Sequence, residues 1–480
     1  MFQQGVNVKT NSIITDEHVQ SFLLSHLRLM KDEDRTPEKF RDLCNKTLFS
    51  KLSNAPSSIS IKTSCRWMKF LGFKLKSMTK GYYTDGHNRE DVTEYRDEVF
   101  LPRMLEYERR MEDYTGEDMS VVIQPELLEG EKQVVLITHD ESTFYCCEGK
   151  PMLWMENGKN KLLPKTKGTS IMVSGFVCPC HGTFSDDTHQ SFQLFEAGKN
   201  REGWFTNKDI VAQFEPLVPL IKSLHPNCEI VIAFDNSMTH HAKVPDGLDV
   251  TNLKMSDGRA ARTTVDMKPG WYIKDGQRIE QSMQFEDGRQ KGCRTILFER
   301  GKHRNDQGHD LPFQCHVCRS KTSDKERATG ISEGWLTSKC CLSYVLSHEE
   351  DFLAQEEWLT EVVHKAGFSI IFYPKYHCEL NFIEMIWGWV KSYHRRHCTY
   401  NYKDLKDNLP NTFLQLLPLS FVRKTYQHCL RFMSGYRQKL EGPLLDYAMR
   451  KYTSHRVVPL GVTEELTKEY EKYLAKKKCK

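Results

Sequence analysis

Three acids in this sequence stand where apolar runs give way to turns, and acids so placed can hold hard metal ions. Val134-Val-Leu-Ile-Thr-His-Asp-Glu-Ser-Thr143 reads as an apolar strand ending at Asp140. Glu229-Ile-Val-Ile-Ala-Phe-Asp-Asn236 reads as another, ending at Asp235. In the third segment an apolar strand, Phe368 to Phe372, runs into a turn at Pro374, and the helix that follows carries Glu384 in its first turn. Mg²⁺ and Mn²⁺ prefer oxygen ligands, and carboxylates supply both charge and geometry. Two such ions about 4 Å apart can activate an attacking oxygen and stabilise the leaving one in an in-line phosphoryl displacement. An acid at the end of one apolar strand is commonly a cap or turn residue, so the reading needs all three together.

The surrounding residues carry a resemblance. His139-Asp140-Glu141-Ser142, Asp235-Asn236-x-x-x-His240 and Tyr376-x-x-Glu379-Leu380-Asn381-x-Ile383-Glu384-x-x-Trp387-x-x-x-Lys391 resemble the three signature blocks of mariner-type DDE transposases and their insertion-sequence relatives. The resemblance covers residues 131–240 and 350–400, and the third block is its most specific part. It implies a ribonuclease-H-like fold, with the first two acids on neighbouring strands and the third on a helix packed against them. It further implies that Asp140 and Asp235 hold two Mg²⁺ or Mn²⁺ ions, Asp140 bridging, and that Glu384 completes one coordination shell. The implied activity is transposition of double-stranded DNA. Water frees a 3′-hydroxyl at a transposon terminal repeat, and that hydroxyl attacks target DNA. A homodimer is implied, because two transposon ends must be paired. Two rival readings are a transposon-derived DNA-binding protein without activity and a metal-dependent endonuclease that cannot join strands.

Other residues in these blocks have expected parts. Asn236 is auxiliary to the site. His240 matches the family's histidine and either positions a phosphate or caps a helix. Trp387 and Lys391, three and seven residues after Glu384, share roughly its helix face; Trp387 is expected to pack, and Lys391 and Arg395 to meet DNA phosphates. Glu141 and Glu379 are rival acids. In a strand Glu141 faces away from Asp140, and Glu379 stands where the family usually has aspartate.

These residues need a scaffold. At 480 residues the chain can hold two or three domains and bury a real core. Strands are expected near 132–138, 142–147, 169–177, 229–235 and 368–372, with helices at Thr206–Leu224 and Phe352–Ala366. That alternation gives an α/β fold, a mixed sheet flanked by helices. The expected division is a helical DNA-binding region and connector at 1–115, a linker to about 131, a first part of the core at 131–243, an insertion at 244–350, a second part of the core at 351–400 and a helical tail at 401–480. The insertion is a departure from the family: 149 positions separate Asp235 from Glu384, where the family has a few tens.

The N-terminal region reads as three helices: Asp16–Met30, Thr36–Leu52 and a third with Ile61, Cys65, Met68 and Leu71 on its apolar face. The second and third suggest a helix-turn-helix with Lys62, Arg66 and Lys69 exposed, and Lys74 extends an acid-free basic run suited to phosphates. The region before Thr36 looks short for a further module of this kind. Asn88–Tyr114 reads as a charged helix broken at Pro102. Beyond Tyr400, interleaved residues such as Arg423, Tyr426, Arg431 and Tyr436 suggest either more DNA surface, a dimer contact or an ordinary amphipathic bundle.

Composition limits the alternatives. Net charge is +4 and mean hydropathy is −0.58. There is no apolar run of 18 residues, so no membrane span is expected. Met1-Phe-Gln-Gln-Gly5 does not read as a secretory signal. The expected setting is intracellular, and nuclear in a eukaryote, with Lys476-Lys-Lys478 as a weak import signal. In a reducing compartment the 16 cysteines are thiols or metal ligands. Cys315-His-Val-Cys318 and the pair Cys340-Cys341 offer a structural Zn²⁺ site in the insertion, with His316 and His348 in reserve. Cys178-Pro-Cys180-His181 is a weaker metal candidate that reads more readily as a hairpin.

Overall fold

The computed structural model describes residues 13–30, 36–52, 55–73, 86–149, 165–260, 265–319, 339–453 and 457–478. Lys74 lies outside them. The chain divides into two units, Met1–Tyr82 and Tyr83–Lys480.

In the smaller unit, α1 (Glu17–Leu29) starts at Asp16, whose carboxylate accepts the His18 and Val19 amides. The next helix begins at Thr36 with Pro37 in its first turn, runs as α2 (Pro37–Leu43), then widens to a π turn over Cys44–Leu48 and tightens over Phe49–Lys51. Ser60 caps α3 (Ile61–Phe70), and Gly72, at φ +90°, stops it. Leu23, Leu27, Phe40, Cys44 and Trp67 form the core. The buried face of α3 differs from the expected one: it centres on Ser64 and Trp67, and Ile61 is exposed. The indole has the most apolar area to bury, and it meets Phe49 edge-on at 6.4 Å. Lys62, Arg66 and Lys69 are exposed, and their spacing sets them in one stripe.

The larger unit opens with α4 (Glu90–Glu94), a π turn over Tyr95–Phe100 and α5 (Leu101–Arg109). Pro102 does not break this helix. The turn before it widens, Leu101 N–H reaching Arg96 O, which moves carbonyls out of the path of the proline ring. The helix ends at Arg109, short of Tyr114, and a small hairpin, β1 (Asp113–Thr115) with β2 (Val121–Ile123), runs from the end of the expected helix into the expected linker.

The central sheet is built from β3 (Val134–Tyr145), β4 (Ser170–Val177), β5 (Phe192–Phe195), β6 (Glu229–Phe234) and β9 (Ser369–Phe372), in the order β5-β4-β3-β6-β9. β4 is antiparallel to β3 and β5, while β6 is parallel to β3 and β9. This is an α/β arrangement, a mixed five-stranded sheet flanked by helices, as expected. One feature departs from expectation: 132–138 and 142–147 are not two strands. Parallel pairing with β6 ends at Thr138, but antiparallel pairing with β4 continues to Tyr145. Asp140 therefore sits in mid-strand, just beyond the end of its parallel neighbour.

Both sheet faces are covered. Val135, Ile137, Ile230 and Ile232 pack against α6 (Asn207–Leu224), which Thr206 caps. Val134, Leu136, Val231 and Ala233 belong to the core on the opposite side, with the helices after β9.

The segment read from the sequence as an insertion has a core of its own. It contains the hairpin β7 (Gly270–Lys274) with β8 (Gln277–Gln281), then α7 (Cys293–Glu299) and α8 (Leu342–Ser347). Leu248, Met283, Ile296, Leu297, Leu346 and Phe352 close it. Buried Arg300 donates to Asp351 at 2.7 and 2.8 Å. The expected helix Phe352–Ala366 is split into α9 (Glu350–Leu353) and α10 (Trp358–Lys365). Asp351 is held inside the insertion, whereas Trp358 N–H bonds to Ala242 O at 3.0 Å, so the two ends answer to different partners.

After β9 come α11 (Ile383–Arg396), α12 (Tyr402–Asn411), α13 (Leu419–Arg437), α14 (Gly442–Lys451) and α15 (Thr463–Lys478). The interleaved residues of α13 are engaged in packing. Tyr426, Phe432 and Tyr436 are buried, Arg423 donates to the carbonyls of Met119, Pro179 and Cys180, and Arg437 pairs with Glu108.

Candidate active site

The topology brings the three acids to one cavity. Asp140 projects from β3, Asp235 is the first residue beyond β6, and Glu384 lies in the first turn of α11. With Asn236, Tyr373 and His377 they line a space of about 510 Å³.

Asp140 is fixed by what lies opposite it. Its register partner on β4 is Gly175, and a Cβ there would come 3.1 Å from the Trp387 ring. The missing side chain lets the indole lie across the strand and donate Nε1–H to Asp140 Oδ2 at 2.9 Å. Burial first, and then the negative charges of Glu384 and Glu141, push the Asp140 carboxyl well above its ordinary range. Glu384 is exposed as a residue, but the protein packed around its carboxyl displaces water and raises it, although Lys391 pulls it down. Lys391 is itself depressed by burial, and its Nζ lies 5.6 Å from the Phe144 ring centre.

Asn381 fixes the start of α11. Its side-chain oxygen accepts from Thr138 Oγ1 at 2.6 Å, and its carbonyl accepts Glu384 N–H at 3.2 Å. Tyr373 donates to the same Thr138 hydroxyl at 3.2 Å. Tyr376, on the cavity rim, has φ +64°, and Gly86 leaves room for its ring: a Cβ there would come within 2.6 Å of it.

On the opposite face of β3 lies a different set. Glu141 comes within 3.6 Å of His240 Nε2, while His240 Nδ1 pairs with Asp235. Burial alone would strip the proton from His240, but the two carboxylates hold its pKa at about 10. At 1% exposure His240 is turned inward, toward Asp235 rather than solvent. His139, buried with Nε2 2.8 Å from Ser174 Oγ, is driven down to about 4.

The remaining candidates fall in different places. Asn236 lines the cavity, and its Oδ1 meets His241 Nε2 at 2.9 Å; the other ring nitrogen of His241 lies 2.6 Å from Glu357. Glu379 lies in a hub with His377 and Tyr436, both at 2.7 Å. Arg395 is tied to Glu148 at 2.8 Å. His241, Thr138 and Tyr373 were not singled out from the sequence; only their neighbourhood to the signature blocks could have pointed to them.

Among the described residues, four groups of His, Cys, Asp or Glu have all their ligand atoms within 4.8 Å of one another, and the three cavity acids are not one of them. One group is Cys315, Cys318, Cys340 and Cys341. Cys318 Sγ lies 3.8 Å from Cys340 Sγ and 3.6 Å from Cys341 Sγ, and Cys318 N–H points at Cys315 Sγ at 3.4 Å. His316 and His348 stand outside it, His348 Nδ1 lying 2.9 Å from Tyr344 O.

Fold and cavity together define an α/β domain in which three acids converge on one opening. No protein-family model matches the chain, and no curated protein sequence matches it. Among solved structures it is similar to the Mos1 transposase paired-end complex with left transposon end, at 9% identity and a TM-score of 0.43, over 88% of this chain and 78% of that one. It is also similar to a pre-cleavage Mos1 transpososome, at 8% identity and 0.41, over 85% and 75%. A third is the Mos1 mariner paired end complex with Mn, at 9% and 0.43, over 88% and 78%.

Proposed function

We propose that the chain is a mariner-type DNA transposase that cleaves and joins DNA with divalent metal through Asp140, Asp235 and Glu384. The observation that carries this reading is the convergence of these acids on one cavity. Asp140 is buried, Glu384 reaches the opening from the exposed side of its helix, and both have their acidity shifted toward the neutral form. Three oxygen donors of this kind fit Mg²⁺ or Mn²⁺, which would supply the positive charge that burial and mutual repulsion call for.

The chain's own residues orient this site. Trp387 holds Oδ2 of Asp140 and so fixes how the carboxylate meets the cavity. His240 fixes Asp235 from behind, and Asn381 sets the first turn of α11 so that Glu384 enters from the helix side. Double-stranded DNA is the partner in this reading, at transposon ends and at the target. Lys391 lies beside the acids, and the Lys62–Arg66–Lys69 stripe in the smaller unit is offered to phosphates as part of a helix-turn-helix. The protein would act as a homodimer, in the nucleus of a eukaryotic cell.

Nicking of supercoiled plasmid in Mn²⁺ or Mg²⁺ tests the reading. Wild type should nick, and Asp235→Asn and Glu384→Gln should not. Nicking that persists in both variants would overturn the metal assignment. A strand-transfer assay separates a transposase from an endonuclease that only cuts, and DNA binding without metal-dependent nicking would point to an inactive derivative.

A structural Zn²⁺ in the insertion belongs to the same proposal. Four thiolates about 2.3 Å from a zinc ion stand about 3.8 Å apart in a tetrahedron. The sulfur separations of 3.6 to 3.8 Å around Cys318, Cys340 and Cys341 match that edge. Cys315 completes the set.

A further inference from the structure

The turn after β4 and the turn before β6 bring together a second set of soft donors, away from the cavity and the insertion. Cys178-Pro-Cys180-His181 folds tightly: Cys178 and Gly182 exchange backbone hydrogen bonds of 3.1 and 2.8 Å, and Gly182 takes φ +71°. Inside the turn, His181 N–H points at Cys178 Sγ at 3.4 Å. This is the contact Cys318 makes with Cys315 in the insertion, where an amide three residues on supports the sulfur.

The partner arrives from another element. His225 follows the last turn of α6, and its Nε2 lies 3.8 Å from Cys178 Sγ. The ligand atoms of Cys178, Cys180 and His225 are all within 4.8 Å of one another. His181 stands beside this set of three but outside it, its Nδ1 3.8 Å from Cys178 Sγ and its ring 4.9 Å from that of His225, and is the fourth donor of the proposed site.

We infer that Cys178, Cys180, His225 and His181 form a zinc site that joins the end of β4 to the turn between α6 and β6. With Zn–S about 2.3 Å and Zn–N about 2.0 Å, a tetrahedral sulfur–nitrogen edge is about 3.5 Å. Both Cys178–imidazole separations are close to that value. The set contains two thiols and two imidazoles, the mixed sulfur and nitrogen set that zinc accepts and that Mg²⁺ avoids.

The surroundings hold the turn in a chelating shape. Arg423 donates to the carbonyls of Pro179 and Cys180 at 3.2 and 3.3 Å, placing a guanidinium beside two sulfurs that become thiolates on binding metal. Tyr114 hydroxyl donates to Cys180 Sγ at 3.5 Å. Cys178 is fully buried and His225 nearly so. The role is structural. β6 begins at Glu229, four residues after His225, and ends beside Asp235, so the site anchors the far end of the strand that carries a cavity acid.

The test is the zinc content of the full chain, purified without chelator and measured by elemental mass spectrometry. Two zinc ions per chain are expected. Cys318→Ser with Cys340→Ser should leave one, and Cys180→Ser with His225→Gln should also leave one. A zinc content unmoved by Cys180→Ser with His225→Gln overturns the inference. One ion per chain that is lost with Cys180→Ser and kept with Cys318→Ser would uphold this site while refuting the one in the insertion. If the Cys180 variant does not fold, Co²⁺ is titrated into the Cys318→Ser, Cys340→Ser chain. Visible bands of a tetrahedral thiolate–imidazole centre, saturating at one equivalent, support the site, and their absence overturns it.

Discussion

Asp140 and Glu141 are adjacent on β3, yet their carboxylates face opposite sides of the sheet and meet opposite fates. Asp140 looks into the cavity, where burial and the charges of Glu384 and Glu141 drive it toward the protonated form, against the support of the Glu141 backbone N–H and the Trp387 N–H. Glu141 is also pushed up by burial, but the His240 imidazolium overrides that and holds it below its ordinary range. One acid is answered by a cation of the fold; under the proposed function the other is left for a cation from outside. Asp235 belongs to both sides: it lines the cavity and pairs with His240.

The largest effect expected from this division is on nicking. Asp140→Asn should lower metal-dependent plasmid nicking by about 10³-fold or more, since it removes a ligand of the reacting centre. Its melting temperature should hold or rise, because a poorly supported buried charge is gone. Glu141→Gln should do the reverse. It should cost roughly 1–3 kcal/mol of stability through the weakened bond to a charged histidine, with nicking reduced far less. Equal loss of nicking in the two variants, with both melting like wild type, would break the comparison.

Trp387→Phe sharpens it. An aromatic ring is kept, although it is shorter than the indole over Gly175, and the donor to Asp140 is lost. Supporting bonds of this kind are typically worth about 10–100-fold in metal affinity or activity. The expected result is nicking down by that factor, with partial rescue at high Mn²⁺. Unchanged nicking would mean the indole only packs.

How much of this was legible beforehand follows from which contacts are local. Each acid sits at the edge of an apolar run, so candidate ligands and the alternation of strands and helices could be read from the sequence. The continuation of β3 past Asp140 could not, because it depends on pairing with β4 about 35 residues on. The role of Trp387 depends on the absence of a side chain at Gly175, and that of His225 on a turn about 45 residues earlier. The core of the insertion is spread from Leu248 to Phe352, so no window of sequence shows it as a cluster.

Titration separates the two faces in solution. His240 has its folded pKa raised to about 10 from an ordinary 6.5, so its stabilising contribution is complete below pH 6.5 and is lost as pH rises through about 10. Removing one of its carboxylates in Glu141→Gln should start that alkaline loss at lower pH, read from melting temperature against pH. The cavity acids have the opposite sign. Asp140 and Glu384 are raised, so ionising them at neutral pH destabilises the fold, and a bound divalent cation should offset that. Mg²⁺ or Mn²⁺ should therefore raise the melting temperature at pH 7 to 8 in wild type and Glu141→Gln, but not in Asp140→Asn. A metal-induced rise that survives Asp140→Asn would place the ion elsewhere.

The smallest effect is expected at Gly175. A methyl group there would meet the Trp387 ring at 3.1 Å, closer than ordinary contact, so the indole must shift by a few tenths of an ångström. The backbone of β4 has no need of glycine at this point, since Gly175 pairs as regular strand with Asp140 and Phe192. Gly175→Ala should therefore cost little stability. Its effect should pass through the displaced indole to Asp140, giving a loss of nicking smaller than that of Trp387→Phe and absent when both changes are combined, because the donor is then already gone. If Gly175→Ala and Trp387→Phe instead multiply, the glycine acts on the cavity by some route other than the tryptophan, and the support of Asp140 is wider than a single hydrogen bond.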